Sequence, residues 1–130
     1  MSDRRILIVE DATGDVALLL KAFRDEGITN PVSFATKGRD AVEELAGNEA
    51  LPALILLDLK LPDMPGFELL RVLRGDARLK DVPIVILTGA ERASDPDRAY
   101  ELGANSFLTK PMSFTDFRCT IGGLKKDWLS

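Results

Sequence analysis

The sequence contains no histidine and only one cysteine, Cys119, among its 130 residues. Without histidine, a Ser-His-Asp triad, a histidine-ligated zinc and a histidine general base are all excluded. A single cysteine excludes an internal disulfide and any CxxC metal or redox motif. Any chemistry that the chain performs must therefore use carboxylates, hydroxyls, lysine or a bound ion.

Long apolar runs and concentrated positive charge are also missing. No stretch approaches the roughly 18 apolar residues of a membrane span, and the first residues contain no apolar signal-peptide region. We therefore expect a cytoplasmic protein without membrane contact. The net charge is -4, and Lys125-Lys126 is the one adjacent lysine pair. Because phosphate contacts need a concentrated basic face, we expect no nucleic-acid partner.

The remaining composition, 45% apolar and 29% charged, is that of an ordinary globular domain. A chain of 130 residues can bury a core without disulfides or a structural metal. No repeat, low-complexity tract or long linker divides it. We expect one domain over residues 1–130.

Five short apolar runs alternate with amphipathic segments. An apolar run closed by turn residues is typical of a strand buried on both faces of a parallel sheet. The predicted strands are 5–9, 31–36, 53–57, 83–88 and 105–109, the second an edge strand because its polarity alternates. The predicted helices are about 13–26, 39–46, 66–74, 94–103 and one that begins at 113. Gly47-Asn48 ends the second helix, and Ser94 and Ser113 are the N-caps of the last two. This alternation predicts a doubly wound α/β fold with helices on both faces of a parallel sheet.

Polar side chains follow four of these strands. Glu10-Asp11 follow the first, Asp58 the third and Lys110 the fifth, while Thr88 ends the fourth. Taken alone, Asp58 is as well explained as a turn residue. Because parallel strands end at one edge, where open α/β sheets bind ligands, we expect these groups to converge. The alternative is that each polar residue merely ends its own strand. The complementary chemistry of the acids, the hydroxyl and the amine disfavours this alternative.

Three clustered carboxylates repel one another unless a proton is retained or a cation neutralises them. An all-oxygen site of this kind suits Mg²⁺, which usually keeps an open side for a phosphate. Lys110 would add a positive charge able to meet phosphoryl oxygens, and Thr88 a hydroxyl donor. Asp58 is thereby equipped to attack phosphorus and form an aspartyl phosphate.

The order and spacing of these residues resemble a response-regulator receiver domain, the phosphoacceptor half of two-component signalling. The resemblance covers nearly the whole chain. It rests on Ile8-Val9-Glu10-Asp11, on Asp58 with Pro62 and Gly66, on Thr88, on Phe107 and on Lys110-Pro111. It implies a flavodoxin-like, five-stranded parallel sheet of order 2-1-3-4-5 flanked by five helices, with no output domain.

The resemblance also implies a role for each matching residue. Asp58 would accept a phosphoryl group from a histidine kinase. Mg²⁺ would be held by Asp11, by Asp58 and by the backbone carbonyl of Lys60, and by Glu10 through water. Glu10 stands where the family more often has Asp. The peptide bond between Lys110 and Pro111 would be cis.

The same family resemblance implies a switch. Phosphorylation adds about 1.5 to 2 negative charges and new acceptor oxygens. Thr88 would bind these oxygens, and Phe107 would fill the space that the Thr88 loop vacates. This change would bias the surface of the fourth helix, fifth strand and fifth helix. Ordinary core packing explains Phe107 equally well. Lys60 and Ala90 lie where the family tunes hydrolysis of the phosphoryl group.

Three segments are similar to single-domain regulators paired with phytochrome-type histidine kinases: 9–15, 76–83 and 127–129. That subgroup often has Asn-Pro where this chain has Ala12-Thr13. The regulator would act by protein contact or pass its phosphoryl group onward. The far end of a stripe on the last helix is a candidate homodimer surface. This stripe comprises Phe114, Phe117, Ile121, Leu124 and Trp128.

We expect a signalling protein that assists only its own phosphorylation and dephosphorylation, and not an enzyme. Two alternatives stay open. A degenerate receiver would bind partners without phosphorylation, although no acceptor-site group is missing. A small Mg²⁺-dependent aspartyl phosphohydrolase would need a general-acid carboxylate where Lys60 stands, and a cap domain.

Overall fold

The computed structural model describes residues 4–47, 50–89 and 95–129. The predictions that involve Asn48, Ala90 and Ser94 lie outside these residues. Within them, five strands alternate with five α-helices. The strands are β1 (Ile6–Val9), β2 (Val32–Ala35), β3 (Leu54–Leu57), β4 (Ile84–Thr88) and β5 (Ser106–Thr109). The helices are α1 (Thr13–Asp25), α2 (Gly38–Ala46), α3 (Gly66–Arg74), α4 (Asp95–Glu101) and α5 (Phe114–Leu124).

The strands form one sheet of order β2-β1-β3-β4-β5, and every pair of neighbours is parallel. This confirms the predicted doubly wound, flavodoxin-like arrangement with five helices. It also places β2 at an edge, as its alternating polarity predicted. Because all strands run the same way, every strand's carboxyl end lies at the same side of the sheet.

Alternate residues of the strands divide the core into two layers. Leu7, Ile55 and Ile86 belong to one buried cluster, which α2 and α3 cover. Ile8 and Leu56 belong to the other, which α1 and α5 cover. The four residues of β1, the four residues of β3 and the first four residues of β4 are all almost fully buried. Helices on both faces therefore explain the continuous apolar runs in the sequence.

The helix bounds agree with the sequence to within a few residues, but the helices also expose some of their apolar residues to solvent. Leu20 of α1 is 38% exposed and Val72 of α3 is 42% exposed. Ala22 and Leu69 are buried in the same helices. A short helix with many apolar residues has more than one possible apolar stripe, and only the neighbouring elements decide which stripe packs.

The end of the chain continues the last helix in a wider form. Residues Lys125–Leu129 are π-helical. Trp128 packs against the cluster under α1 and α5, and the Lys125 ammonium donates to the Glu26 carbonyl at 3.0 Å. Among the residues that the structure describes, no helix is both long and apolar enough to cross a membrane.

Candidate functional site

Ladder hydrogen bonds continue past the strand ends and fix the backbone of the polar residues. The Asp58 N–H donates to the Val9 carbonyl at 3.1 Å, and the Lys110 N–H donates to the Thr88 carbonyl at 2.8 Å. The Glu10 N–H reaches β2 in the same way. The sheet therefore sets the spacing of the polar residues at its carboxyl edge.

The predicted carboxylates do come together. Glu10, Asp11 and Asp58 each offer an oxygen, and these three atoms lie within 4.8 Å of one another. Glu10 and Asp58 are buried, whereas Asp11 is exposed. The group thus has one side in the core and one side open to solvent, so that an ion or a ligand can approach it.

Lys110 supplies the positive charge of the site. Its ammonium lies 2.6 Å from Glu10 Oε1 and 3.6 Å from Asp58 Oδ2. It also lies 2.8 Å from Asp15 Oδ2, on the first turn of α1. The lysine side chain is only 14% exposed, so these interactions are weakly screened on its side.

This crowding of charge perturbs two pKa values. The pKa of Glu10 is raised to about 7, first because burial disfavours its charged form and then because Asp58 lies beside it, while the Lys110 hydrogen bond lowers it in part. Burial lowers the pKa of Lys110, but hydrogen bonds to Asp15 and Glu10 outweigh this effect and leave it raised. Lys110 therefore stays protonated at neutral pH.

The residues present fit a divalent cation with oxygen ligands. Three carboxylate oxygens lie within 4.8 Å of one another, and oxygens of this kind are the donors that Mg²⁺ prefers. The pKa of Glu10 is raised by burial and by the neighbouring Asp58 despite its hydrogen bond to Lys110, so a further cation beside it would favour its charged form. Lys60 contributes its backbone N–H to Asp58 Oδ1 at 3.4 Å.

A tight loop follows Asp58. The Gly66 N–H donates to the Leu59 carbonyl at 2.8 Å, and Lys60 and Pro65 form an isolated antiparallel bridge. A Cβ on Gly66 would lie 2.5 Å from the Asp58 carbonyl oxygen. Only glycine fits at this position without moving the backbone of Asp58.

The tip of this loop is attached to α2. Asp63 accepts hydrogen bonds from the Gly38 N–H at 2.8 Å and the Arg39 N–H at 2.9 Å. These bonds lower the pKa of Asp63, since both favour its charged form. The loop after Asp58 is thus held by the amino end of a neighbouring helix, a contact that the sequence did not reveal.

Thr88 and Phe107 occupy different environments. Thr88 is fully buried at the end of β4. Phe107 on β5 is half-buried and packs against the cluster under α2 and α3. Its backbone N–H donates to the Tyr100 hydroxyl of α4 at 3.2 Å. Tyr100 therefore ties α4 to the edge strand at the predicted switch residue.

The predicted cis peptide between Lys110 and Pro111 is wrong for this structure. Among the described residues, every peptide bond is trans. The trans form of a bond before proline is favoured by about 0.5 to 1 kcal/mol. In this form Lys110 already reaches the carboxylates of the site, so its position does not require the cis form.

Asp15 is the site residue that sequence reasoning missed. It falls in the first turn of the helix predicted at about 13–26, where acidic residues are common. Its position five residues after Glu10 gives no indication of a contact with Lys110, which lies 95 residues further along the chain. Only the packing of α1 beside α5, the helix that follows Lys110 in the chain, brings the two side chains together.

The fold and the site define a flavodoxin-like α/β domain with an acidic site and a lysine at the carboxyl edge of its sheet. Comparison with protein families makes the assignment specific. Residues 6–121 match the family described as the response regulator receiver domain. The chain belongs to this family, as the resemblance of its motifs predicted.

Curated relatives include proteins of similar length. The probable methanogenesis regulatory protein FilR2 of Methanothrix harundinacea is 37% identical over 95% of this chain and 83% of its own length. Response regulator Rcp1 of Synechocystis is 33% identical over 95% of this chain and 88% of its own length. Both proteins therefore align with this chain over most of their length.

Solved structures give the same result. A phosphorylated cyanobacterial phytochrome response regulator, RcpA, has a TM-score of 0.90 at 30% identity, covering 99% of this chain and 96% of its own. The Mn²⁺-bound form of Rcp1 has a TM-score of 0.88 at 32% identity, covering 98% of this chain and 95% of its own. One of these neighbours was thus captured phosphorylated and the other with a divalent cation.

Proposed function

We propose that this receiver domain accepts a phosphoryl group from a histidine kinase onto Asp58 in a Mg²⁺-dependent reaction. The observation that carries this proposal is the position of the Lys110 ammonium, 3.6 Å from the Asp58 carboxylate and beside the three-carboxylate group. A nucleophilic carboxylate, a cation site and a fixed ammonium are the groups that phosphoryl transfer needs.

In this reaction an oxygen of Asp58 attacks the phosphorus of the donor phosphohistidine. A phosphorus–oxygen bond forms while the phosphorus–nitrogen bond breaks, and the imidazole leaves with a proton from solvent. Lys110 neutralises the oxygens of the transferred group, and Thr88 donates its hydroxyl to one of them. The domain requires no histidine of its own, in agreement with its composition.

We assign the cation to Asp11, Asp58 and the Lys60 backbone carbonyl, with Glu10 acting through water. Bound there, Mg²⁺ would offset the repulsion between the carboxylates and the incoming phosphoryl group. Glu10 suits an outer position because its two oxygens already accept from Lys110 at 2.6 Å and from the Ala12 N–H at 3.2 Å. The Mn²⁺-bound relative supports a divalent cation in this family.

The output would be a change in the surface formed by α4, β5 and α5. Thr88 would move toward the phosphoryl group, and Phe107 would turn further inward. The bond between the Phe107 N–H and Tyr100 would transmit this movement to α4. Phe107 is half-buried, so an inward turn would increase its burial.

The proposed donor is a phytochrome-type histidine kinase. This rests on neighbours described as a phytochrome response regulator and as the bacteriophytochrome response regulator RtBRR, the latter 38% identical with a TM-score of 0.78 over 93% of this chain and 77% of its own. The phosphorylated domain would then contact a downstream protein, pass the phosphoryl group onward or pair through the C-terminal helix.

The proposal is tested by incubating the protein with acetyl phosphate and Mg²⁺ and measuring its intact mass. We expect one phosphoryl adduct in the wild type and none in Asp58→Asn, because the amide is not a nucleophile toward phosphorus. Chelation of Mg²⁺ should also abolish the adduct. A wild-type protein that forms no adduct would support the binding-only alternative, and rapid turnover of many phosphomonoesters would support the hydrolase.

A further inference from the structure

Asp15 is a third carboxylate on the lysine of the site. The Lys110 ammonium lies 2.6 Å from Glu10 and 2.8 Å from Asp15, both within hydrogen-bond distance. Its distance to Asp58 is 3.6 Å, beyond a normal hydrogen bond. Two of the three donors of the ammonium are therefore directed to carboxylates other than the acceptor.

The two carboxylates that hold Lys110 differ in burial and origin. Glu10 follows β1, and its side chain is 3% exposed. Asp15 belongs to α1, and its side chain is 43% exposed. An open cavity of about 200 Å³, lined by Asp15, Lys110 and Phe114 among others, adjoins the pair. The Asp15–Lys110 bond can therefore be exchanged without opening the core.

We infer that Asp15 is a positioning residue that draws Lys110 away from Asp58 and thereby weakens the site's hold on a phosphoryl group. The inference rests on the proposed function, because it assigns Lys110 to the phosphoryl oxygens. A phosphoryl group on Asp58 must compete with Asp15 for the ammonium. The negative charge of Asp15, which lies beside Lys110, also repels the negative oxygens of the phosphoryl group.

The test uses beryllofluoride, which mimics a phosphoryl group on a carboxylate, at saturating Mg²⁺ so that changes in metal affinity do not contribute. Isothermal titration calorimetry gives its dissociation constant. We expect Asp15→Asn to bind beryllofluoride about 1.4- to 5-fold more tightly than the wild type, the range that corresponds to exposed ion pairs. Asp15→Glu keeps the charge and should restore the wild-type value.

Varying the salt concentration separates the electrostatic effect of Asp15 on beryllofluoride binding from a structural effect of the substitution. Because the pair is partly exposed, the ratio between wild type and Asp15→Asn should shrink toward one between 0.05 and about 1 M NaCl, where the screening length falls to about 3 Å. A matched control is Asp116→Asn, which removes an exposed first-turn acid from α5 with its capping Ser113 intact. Asp116→Asn should leave the beryllofluoride affinity unchanged. This result would show that the loss of a charge at a helix end does not by itself change the affinity.

Equal or weaker beryllofluoride binding in Asp15→Asn would overturn the inference, as would an equal gain in Asp116→Asn. If the wild type forms the adduct with acetyl phosphate and Asp15→Asn binds no more tightly, only this inference fails. If the wild type forms no adduct and binds no beryllofluoride, the proposed function fails first and the inference fails with it.

Discussion

At the scale of single residues, Glu10 is a carboxyl group whose burial opposes its charged form. Glu10 is 4% exposed. Among the residues that the structure describes, Lys110 is the one that forms an ion pair with it. An acid in such a position retains its proton to higher pH than in an unfolded chain. The pKa of about 7, compared with an ordinary value of 4.5, expresses this cost.

A pH dependence of stability follows from the Glu10 pKa. Between pH 4.5 and 7 the folded protein holds a proton that the unfolded chain has lost, so the free energy of unfolding falls as pH rises through this window. The full shift corresponds to about 3 kcal/mol at most. We expect urea unfolding without Mg²⁺ to show Glu10→Gln gaining stability relative to wild type between pH 5 and pH 7.5. Parallel pH profiles for the two proteins would contradict this.

The site residues also show which side chains a sequence can identify. Asp58 and Lys110 stand directly after predicted strands, and these strands place them at the sheet edge. Asp15 and Asp63 carry no such signal, because each acts through a contact with an element distant in the chain. A residue that follows a strand is therefore predictable, whereas one that depends on helix placement is not.

At the scale of elements, Arg74 joins three of them. From the end of α3 it donates to the Gly103 carbonyl at 2.8 Å, the Leu79 carbonyl at 2.7 Å and Asn105 Oδ1 at 2.6 Å. Asn105 in turn accepts from the Ile84 N–H at the start of β4. This arginine therefore fixes α3 against the turn between α4 and β5.

Arg74→Ala tests this link. Because the substitution removes three hydrogen bonds from a charged donor, two to carbonyls and one to an amide oxygen, we expect a loss of about 2 kcal/mol in the free energy of unfolding, measured by urea denaturation. Arg71→Ala, three residues earlier, removes only an exposed pair with Glu68 and should cost less than about 0.5 kcal/mol. Equal costs for the two variants would show that the Arg74 bonds contribute nothing beyond an ordinary surface arginine.

At the scale of the whole molecule, cation binding and folding should be linked. The carboxylates of the site come from residues 10, 11 and 58, which only the folded sheet brings within 4.8 Å of one another. A ligand that binds the folded state alone stabilises it by mass action. Metal affinity is therefore measurable as a rise in unfolding temperature.

We expect Mg²⁺ at about 100 times its dissociation constant to stabilise the wild type by about 2.7 kcal/mol. Asp11→Asn should lose most of this increment, because it removes the exposed carboxylate through which the ion is reached. Asp97→Asn, an exposed acid on α4, is the control and should retain the increment. Differential scanning calorimetry with and without Mg²⁺ measures both, and an Asp11→Asn protein that still gains the full increment would contradict the assignment.

The sequence by itself determined the strand and helix alternation, the parallel sheet and the set Glu10, Asp11, Asp58, Thr88 and Lys110. It could do so because an apolar run marks a strand locally, and a parallel sheet then places every strand end at one edge. The tertiary structure alone decided which helix faces pack and that the bond before Pro111 is trans. It alone brought Asp15 to Lys110 and Asp63 to α2. These contacts join elements whose relative positions depend on the packing of the whole core, which no local pattern encodes.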